Sequence, residues 1–166
     1  GSIGHGETLY EEVLRVPLIV AGPGVAQGVR VRSMVSLLDV VPTLLERVGA
    51  VAAAALDGRS LLPVLRGGRD DVTRDGTLAL HTASHDGTLS LRGVRAEQRK
   101  LLHDDRAGKV ELFDLAADPR ERSNLAPAER DERLEQALAA LGAAVPSVAA
   151  PAPDPETVES LKALGY

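Results

Sequence analysis

The chain has 166 residues, the size of one ordinary domain, and 44% of them are hydrophobic, enough for a globular core. Its 19 Lys and Arg stand interspersed among 24 Asp and Glu, for a net charge of −5 that argues against a nucleic-acid partner. No apolar run reaches the roughly 18 residues of a membrane span, and the absence of cysteine excludes disulfides, thiolate metal sites and a cysteine nucleophile within these residues.

The chain starts without Met on a glycine loop, Gly4-His5-Gly6-Glu7, and is expected to begin in the middle of a longer sequence. Loops of this kind, placed before a helix and a strand, are where α/β enzymes keep their sites. Thr8 to Leu14 has the spacing of a short helix that Pro17 brings to an end. Val16 to Ala21 is a continuous apolar run bounded by Gly22-Pro23-Gly24, the pattern of a strand buried on both faces of a parallel sheet. Val29 to Val35 alternates apolar and basic residues and predicts a half-exposed extended segment.

Leu38, Val41, Leu44, Leu45 and Val48 recur at helical spacing, with Gly49 as the C-cap. Asp39 is the expected N-cap, because a capping box from Ser36 to Asp39 would push Pro42 past the first helical turn. Asp57-Gly58-Arg59-Ser60 then marks a turn into a short helix, Leu61 to Leu65, that ends at Gly67-Gly68. Arg69 to Gly76 is charged and predicts a surface loop.

From Thr77 onward the pattern changes to strands: Thr77 to Ala83, Thr88 to Val94, Lys100 to His103 and Lys109 to Leu115. Asp86-Gly87 and Ala107-Gly108 supply turn chemistry, so two antiparallel hairpins are expected. Asp118-Pro119 opens a turn that runs to Asn124, and Pro127 is placed as the first residue of a helix. In that helix Leu134, Ala137, Leu138 and Leu141 form one apolar face, which Gly142 ends. Ala143 to Pro153 reads as a linker, and Asp154 caps a last helix. The only aromatics are Tyr10, Phe113 and Tyr166, so the core has few bulky anchors and its stability is expected to lean on neighbouring chain.

Several polar groups invite a functional reading that the residues themselves do not require. Glu7, Glu11 and Glu12 could be metal carboxylates, but acids in the first turns of a helix are explained by the helix dipole. Arg15 could touch substrate, although an ion pair with Glu11 or Glu12 accounts for it. His81, His85 and Asp86 lack a fourth partner for a metal and read as a hairpin end, as does His103 with Asp104-Asp105. Asp118 and Asn124 could attract calcium but fit turn and cap formers better.

Five stretches in order carry a family resemblance. Gly4-His5-Gly6-Glu7-Thr8-Leu9-Tyr10-Glu11-Glu12 with Leu14-Arg15-Val16-Pro17-Leu18-Ile19-Val20 resembles the late segment of sulfatases, members of the alkaline-phosphatase-like superfamily. Ser36 to Leu45, Leu56-Asp57-Gly58-Arg59-Ser60-Leu61-Leu62-Pro63, Leu112 to Leu125 and the ending Leu161-Lys162-Ala163-Leu164-Gly165-Tyr166 resemble later parts of the same family. The implied fold is α/β: the C-terminal part of an alkaline-phosphatase-like fold. A buried parallel strand with helices would be followed by a small antiparallel sheet packed by C-terminal helices. The implied divisions are residues 1–68 as the end of the catalytic α/β domain, 69–142 as an antiparallel-sheet subdomain with a helix, and 143–166 as linker and terminal helix.

The activity implied is hydrolysis of a sulfate ester, with calcium and a formylglycine nucleophile whose ligands and source motif are absent from this chain. The expected partners are a sulfate-ester substrate and the missing N-terminal part of the enzyme, so the segment alone is expected to be inactive. By the same resemblance His5 is the catalytic candidate, as a sulfate contact or proton donor. An imidazolium can give a charge-assisted hydrogen bond to a sulfate oxygen, and the flanking glycines allow close approach. Two other readings stay open. One is a phosphoester or phosphonate hydrolase segment of the same superfamily, and the other is a non-catalytic binding module.

Overall fold

The computed structural model describes residues 8–68, 76–83 and 90–142. The His5 loop, the charged stretch after Gly68, the Asp86-Gly87 turn, and the linker and terminal helix after Gly142 lie outside the described residues.

At the centre is an antiparallel sheet of β1 (Thr77–Ala83), β2 (Ser90–Ala96), β3 (Arg99–Asp104) and β4 (Lys109–Asp114), in the order β1-β2-β3-β4. Each strand overlaps the run expected for it, with β2 shifted toward the C-terminus, ending at Ala96 rather than Val94. The two expected hairpins are joined into a meander by a further turn at Glu97-Gln98, which pairs Arg95 with Lys100. That turn carries no Gly, Asn or Asp, so the usual turn chemistry did not announce it.

The side-chain period of two gives the sheet two faces. On one, Val94, Leu101 and Leu112 stand opposite one another in register and pack against Leu134 of a helix, Glu132–Gly142. Ala137, Leu138 and Leu141 of the same helix join them, as their spacing predicts. On the other face Leu102 and Phe113 pack with Leu9 and Leu115, and the partly buried Tyr10, Leu14, Leu80 and Leu91 surround them.

The helix on the first face begins later than Pro127 suggests. Pro127 lies in a turn where the Ala128 and Glu129 amides both donate to the Leu125 carbonyl, at 2.9 and 2.8 Å. Asp131 then starts the helix by accepting from the Leu134 amide at 3.1 Å, which satisfies one of the unpaired first-turn donors.

Among the described residues three α-helices precede the sheet, α1 (Glu11–Leu14), α2 (Val40–Val48) and α3 (Leu62–Leu65), so the helix after β4 is α4. Of the expected Thr8 to Leu14 helix only the last four residues form, because Tyr10 is extended at φ −76 and ψ 157. Gly49 closes α2 in the left-handed region at φ 69, as a glycine C-cap does. The start of α2 combines the two alternatives weighed for it. Ser36 and Asp39 do form a capping box, but on a 3-10 turn, Leu37–Asp39, and the α-helix follows from Val40. Pro42 therefore remains in the first α-helical turn and breaks no helical bond.

Asp39, fully buried, also accepts from the Arg59 amide at 2.8 Å, and Thr43 accepts from the Leu61 amide at 2.8 Å. These two bonds tie the Asp57-Gly58-Arg59-Ser60 turn to α2.

The apolar run from Val16 to Ala21 differs from its expectation. Among the described residues it pairs with no strand, and it is exposed, with Ile19 at 88%. A strand of a parallel sheet exists only beside its hydrogen-bonded neighbours, and none of the described strands provides one. Val29 to Val35 is likewise irregular and partly exposed, without a strand partner.

Candidate functional site

The segment that follows the His5 loop is fixed by polar contacts to the sheet and to the turn after β4. Leu9 is buried, and its carbonyl accepts from Lys100 Nζ at 2.8 Å. Tyr10 donates through its hydroxyl to Glu111 Oε2 at 2.9 Å, and its ring meets Phe113 edge-on with centroids 6.0 Å apart. Glu11, the first residue of α1, places its carboxylate against Arg95 in a two-pronged contact at 3.1 and 3.2 Å, and against Lys100 Nζ at 3.2 Å. The Glu11 amide donates to Glu121 Oε2 at 2.6 Å, while the other oxygen of Glu121 pairs with Lys100.

Lys100 has no solvent exposure, so its ammonium is stable only because these acceptors surround it. Burial alone would raise the Glu11 pKa, but the hydrogen bonds and charges of Arg95 and Lys100 outweigh it and hold the carboxyl below its ordinary 4.5. Glu121 holds a left-handed backbone at φ 54, a conformation that costs a non-glycine residue about 1–2 kcal/mol. The hydrogen bond its carboxylate accepts from the Glu11 amide and its ion pair with Lys100 offset that cost.

The structure thus assigns Glu11 more than a helix-dipole role. Its carboxylate turns to Arg95 and Lys100 rather than to Arg15, so the expected local ion pair of Arg15 with Glu11 is replaced by a long-range one. Glu12 and Arg15 are exposed, and Arg15 lines an open groove of about 1200 Å³ between the chain after α1, the Val29 to Leu37 segment and the sheet. His5, the candidate catalytic residue, and Glu7 lie outside the described residues.

Lys100, Arg95 and Glu121 were not singled out from the sequence. Lys100 did leave a signal, since alternation puts it on the same face as buried Leu102. Glu121 sits in a turn, where only its partners reveal that it is enclosed.

The other polar groups behave as local structure. His81 is exposed on β1, while His85 and Asp86 lie outside the described residues. His103 Nδ1 lies 2.9 Å from Asp105 Oδ1, and Asp105 also meets Arg92 and Ser90. The Arg92 hydrogen bond holds the Asp105 carboxyl well below the usual carboxylate range. Asp104 accepts from the Arg106 and Ala107 amides and closes the β3–β4 turn. Asp118 Oδ2 accepts from the Arg122 and Ser123 amides, and Asn124 bridges the Leu112 amide and the Val110 carbonyl, so both act as turn and cap formers. Among the described residues no group of three His, Cys, Asp or Glu could hold a metal ion.

Residues 6–143 match the family described as N-sulphoglucosamine sulphohydrolase, C-terminal. The chain is 35% identical over 126 residues to arylsulfatase K of Gallus gallus, covering 72% of this chain and 24% of that protein. It is 33% identical over 136 residues to a Delta 4,5-hexuronate-2-O-sulfatase of Bacteroides thetaiotaomicron, covering 80% and 28%. The solved structure of a 2-O GAG sulfatase superposes with a TM-score of 0.63 at 31% identity, covering 82% of this chain and 30% of that one. The chain spans about a quarter of the length of the curated relatives it matches.

Proposed function

Since the chain belongs to the sulfatases, sulfuric ester hydrolases of the alkaline-phosphatase-like fold, as a C-terminal part of such an enzyme, we propose that its parent protein hydrolyses sulfate monoesters and that this chain supplies the His5 loop to the substrate pocket. The observation that carries the reading is the family match, which runs from Gly6 through α4 and includes the whole sheet. In this reading residues 1–68 close the catalytic α/β domain and residues 69–142 form the sheet subdomain that walls the pocket.

Calcium and formylglycine are general to the family. The chain contains no Cys- or Ser-x-Pro-x-Arg motif from which a formylglycine is made, and among its described residues no group of three His, Cys, Asp or Glu could hold a metal ion, so both are assigned to the rest of the parent protein. The chain's own contribution is an imidazole. Protonated, it donates to a sulfate oxygen or gives its proton to the leaving alcohol, and either act favours the charge that builds up as the S–O bond breaks. The isolated chain lacks the nucleophile and turns over nothing.

His5→Ala in the full-length protein tests the role. With an aryl sulfate as substrate, kcat is expected to fall by about 10²–10⁴-fold. Unchanged turnover would remove His5 from the site, and faster hydrolysis of an aryl phosphate or phosphonate ester than of the sulfate would replace the substrate class.

A further inference from the structure

We propose that β1 joins two copies of the protein, pairing antiparallel with β1 of a second copy about a twofold axis at Leu80, so that two sheets become one. The contrast between the two edges of the sheet carries the inference. β1 and β4 are its outer strands, and an outer strand turns one side of its backbone away from the ladder. On β4 that side is covered. The Leu112 amide donates to Asn124 Oδ1 at 3.0 Å, the Leu112 carbonyl accepts from the Leu125 amide at 2.9 Å, and the Val110 carbonyl accepts from Asn124 Nδ2 at 3.1 Å. Among the described residues no segment lies along β1 in the same way. The strand, Thr77-Leu78-Ala79-Leu80-His81-Thr82-Ala83, also lacks the devices that blunt an open edge. It holds no Pro, Asp, Glu, Lys or Arg, and it pairs with β2 from end to end without a bulge.

The strand is complementary to itself, which favours a second copy as its occupant. Centred on Leu80, an antiparallel pairing sets Leu80 opposite Leu80, Ala79 opposite His81, Leu78 opposite Thr82 and Thr77 opposite Ala83. Odd-numbered residues meet odd-numbered ones, so backbone groups turned away from β2 in one copy meet those turned away in the other. β1 carries no acid or permanent cation to repel its counterpart, and each exposed His81 faces the small side chain of an exposed Ala79. Leu80 packs at the margin of the Leu102 and Phe113 cluster, so its counterpart extends that apolar row across the interface. The helix on the other face leaves room for the join. Leu134 of α4 packs over Val94, Leu101 and Leu112, on β2, β3 and β4, and Leu141 reaches Ala79 and His81. Across the join the two β2 strands lie about 14 Å apart, three strand spacings, which exceeds the roughly 8–10 Å that packed helices require.

Sedimentation of the full-length protein tests the proposal, and a dimer is expected at micromolar concentration. Ala79→Lys with His81→Lys sets like charges opposite each other at two symmetric places and is expected to raise the dissociation constant at least about 100-fold. Ala79→Lys with His81→Glu sets a lysine of each copy opposite a carboxylate of the other and is expected to keep the dimer. The two double variants alter the same exposed positions and differ only in the sign of one charge, so the comparison reads the register itself. Protection of the Leu102 and Leu112 amides from hydrogen exchange confirms that each variant keeps its sheet. If the lysine pair does not fold, the unaltered protein carries the test. Diluted below its dissociation constant, it is expected to exchange the outward amides of residues 77–83 about tenfold faster. A monomer at micromolar concentration would overturn the proposal and leave the β1 edge to the rest of the parent protein. A dimer that both double variants keep, or that both lose, would overturn it as well, because neither result follows from Ala79 facing His81.

Discussion

Tyr10 is the residue whose surroundings translate most directly into a solution measurement. Burial, then the hydrogen bond and charge of Glu111, push its phenol from the ordinary 10.0 up to about 12. The folded protein therefore favours the neutral phenol more than the unfolded chain does. By linkage this stabilisation is complete below pH 10.0 and is lost as pH rises to about 12. Tyr10→Phe is expected to abolish the alkaline loss of stability in that window and to delete the late component of a near-ultraviolet phenol titration. The chain's second tyrosine, Tyr166, stays as the internal reference. A titration whose late component survives the substitution would show that the Tyr10–Glu111 contact does not persist in solution. The same contact matters for the site, because Tyr10 lies between the Lys100 clamp on Leu9 and the Glu121 clamp on Glu11.

At the scale of elements, the turn between α2 and α3 shows what particular residues of the stretch that carries the resemblance do. Asp39 ties the Arg59 amide to the 3-10 turn, and the chain passes so close that a Cβ on Gly58 would meet the Leu38 carbonyl oxygen at 1.8 Å. Backbone cannot yield as a flexible side chain can. Gly58→Ala is therefore expected to destabilise the chain by about 1–3 kcal/mol, read as a lowered denaturant midpoint, and an unchanged midpoint would mean that the turn sits farther from α2. Much of this level was legible. The strands, the Gly49 cap and the apolar face of α4 follow from alternation, cap chemistry and helical spacing, all local properties. The Glu97-Gln98 turn and the late start of α4 were not, since pairing and a competing turn at Pro127 decided them. For the candidate site, the sequence singled out the His5 loop, which lies outside the described residues, and read Glu11 as a carboxylate serving the helix dipole. It hid the clamp, because lysine is ordinarily exposed and only the convergence of Leu9, Glu11 and Glu121 reveals that Lys100 is buried.

At the scale of the whole molecule, apolar surface is divided unequally. The sheet and α4 bury Val94, Leu101, Leu112 and Leu134 almost completely, whereas Val41, Leu44 and Val48 lie exposed along α2 at helical spacing, and Val16, Ile19 and Val20 lie exposed after α1. Among the described residues, those that the sequence assigns to a buried strand and an amphipathic helix keep these patterns without the partners the patterns imply. The matched stretch makes up about a quarter of each relative, so the reading proposed above predicts that the remainder of the parent protein covers these residues. Ile19→Ser separates the two contexts. In the isolated chain, where Ile19 is 88% exposed, the substitution is expected to change stability by less than about 0.5 kcal/mol. In the full-length protein it is expected to cost about 2–4 kcal/mol, the penalty for replacing a buried aliphatic side chain with a small polar one. Denaturant midpoints of the two pairs measure the difference. A small effect in both would mean that this face stays open in the parent enzyme, and the Val16 to Ala21 run would then need some reason other than burial for being continuously apolar.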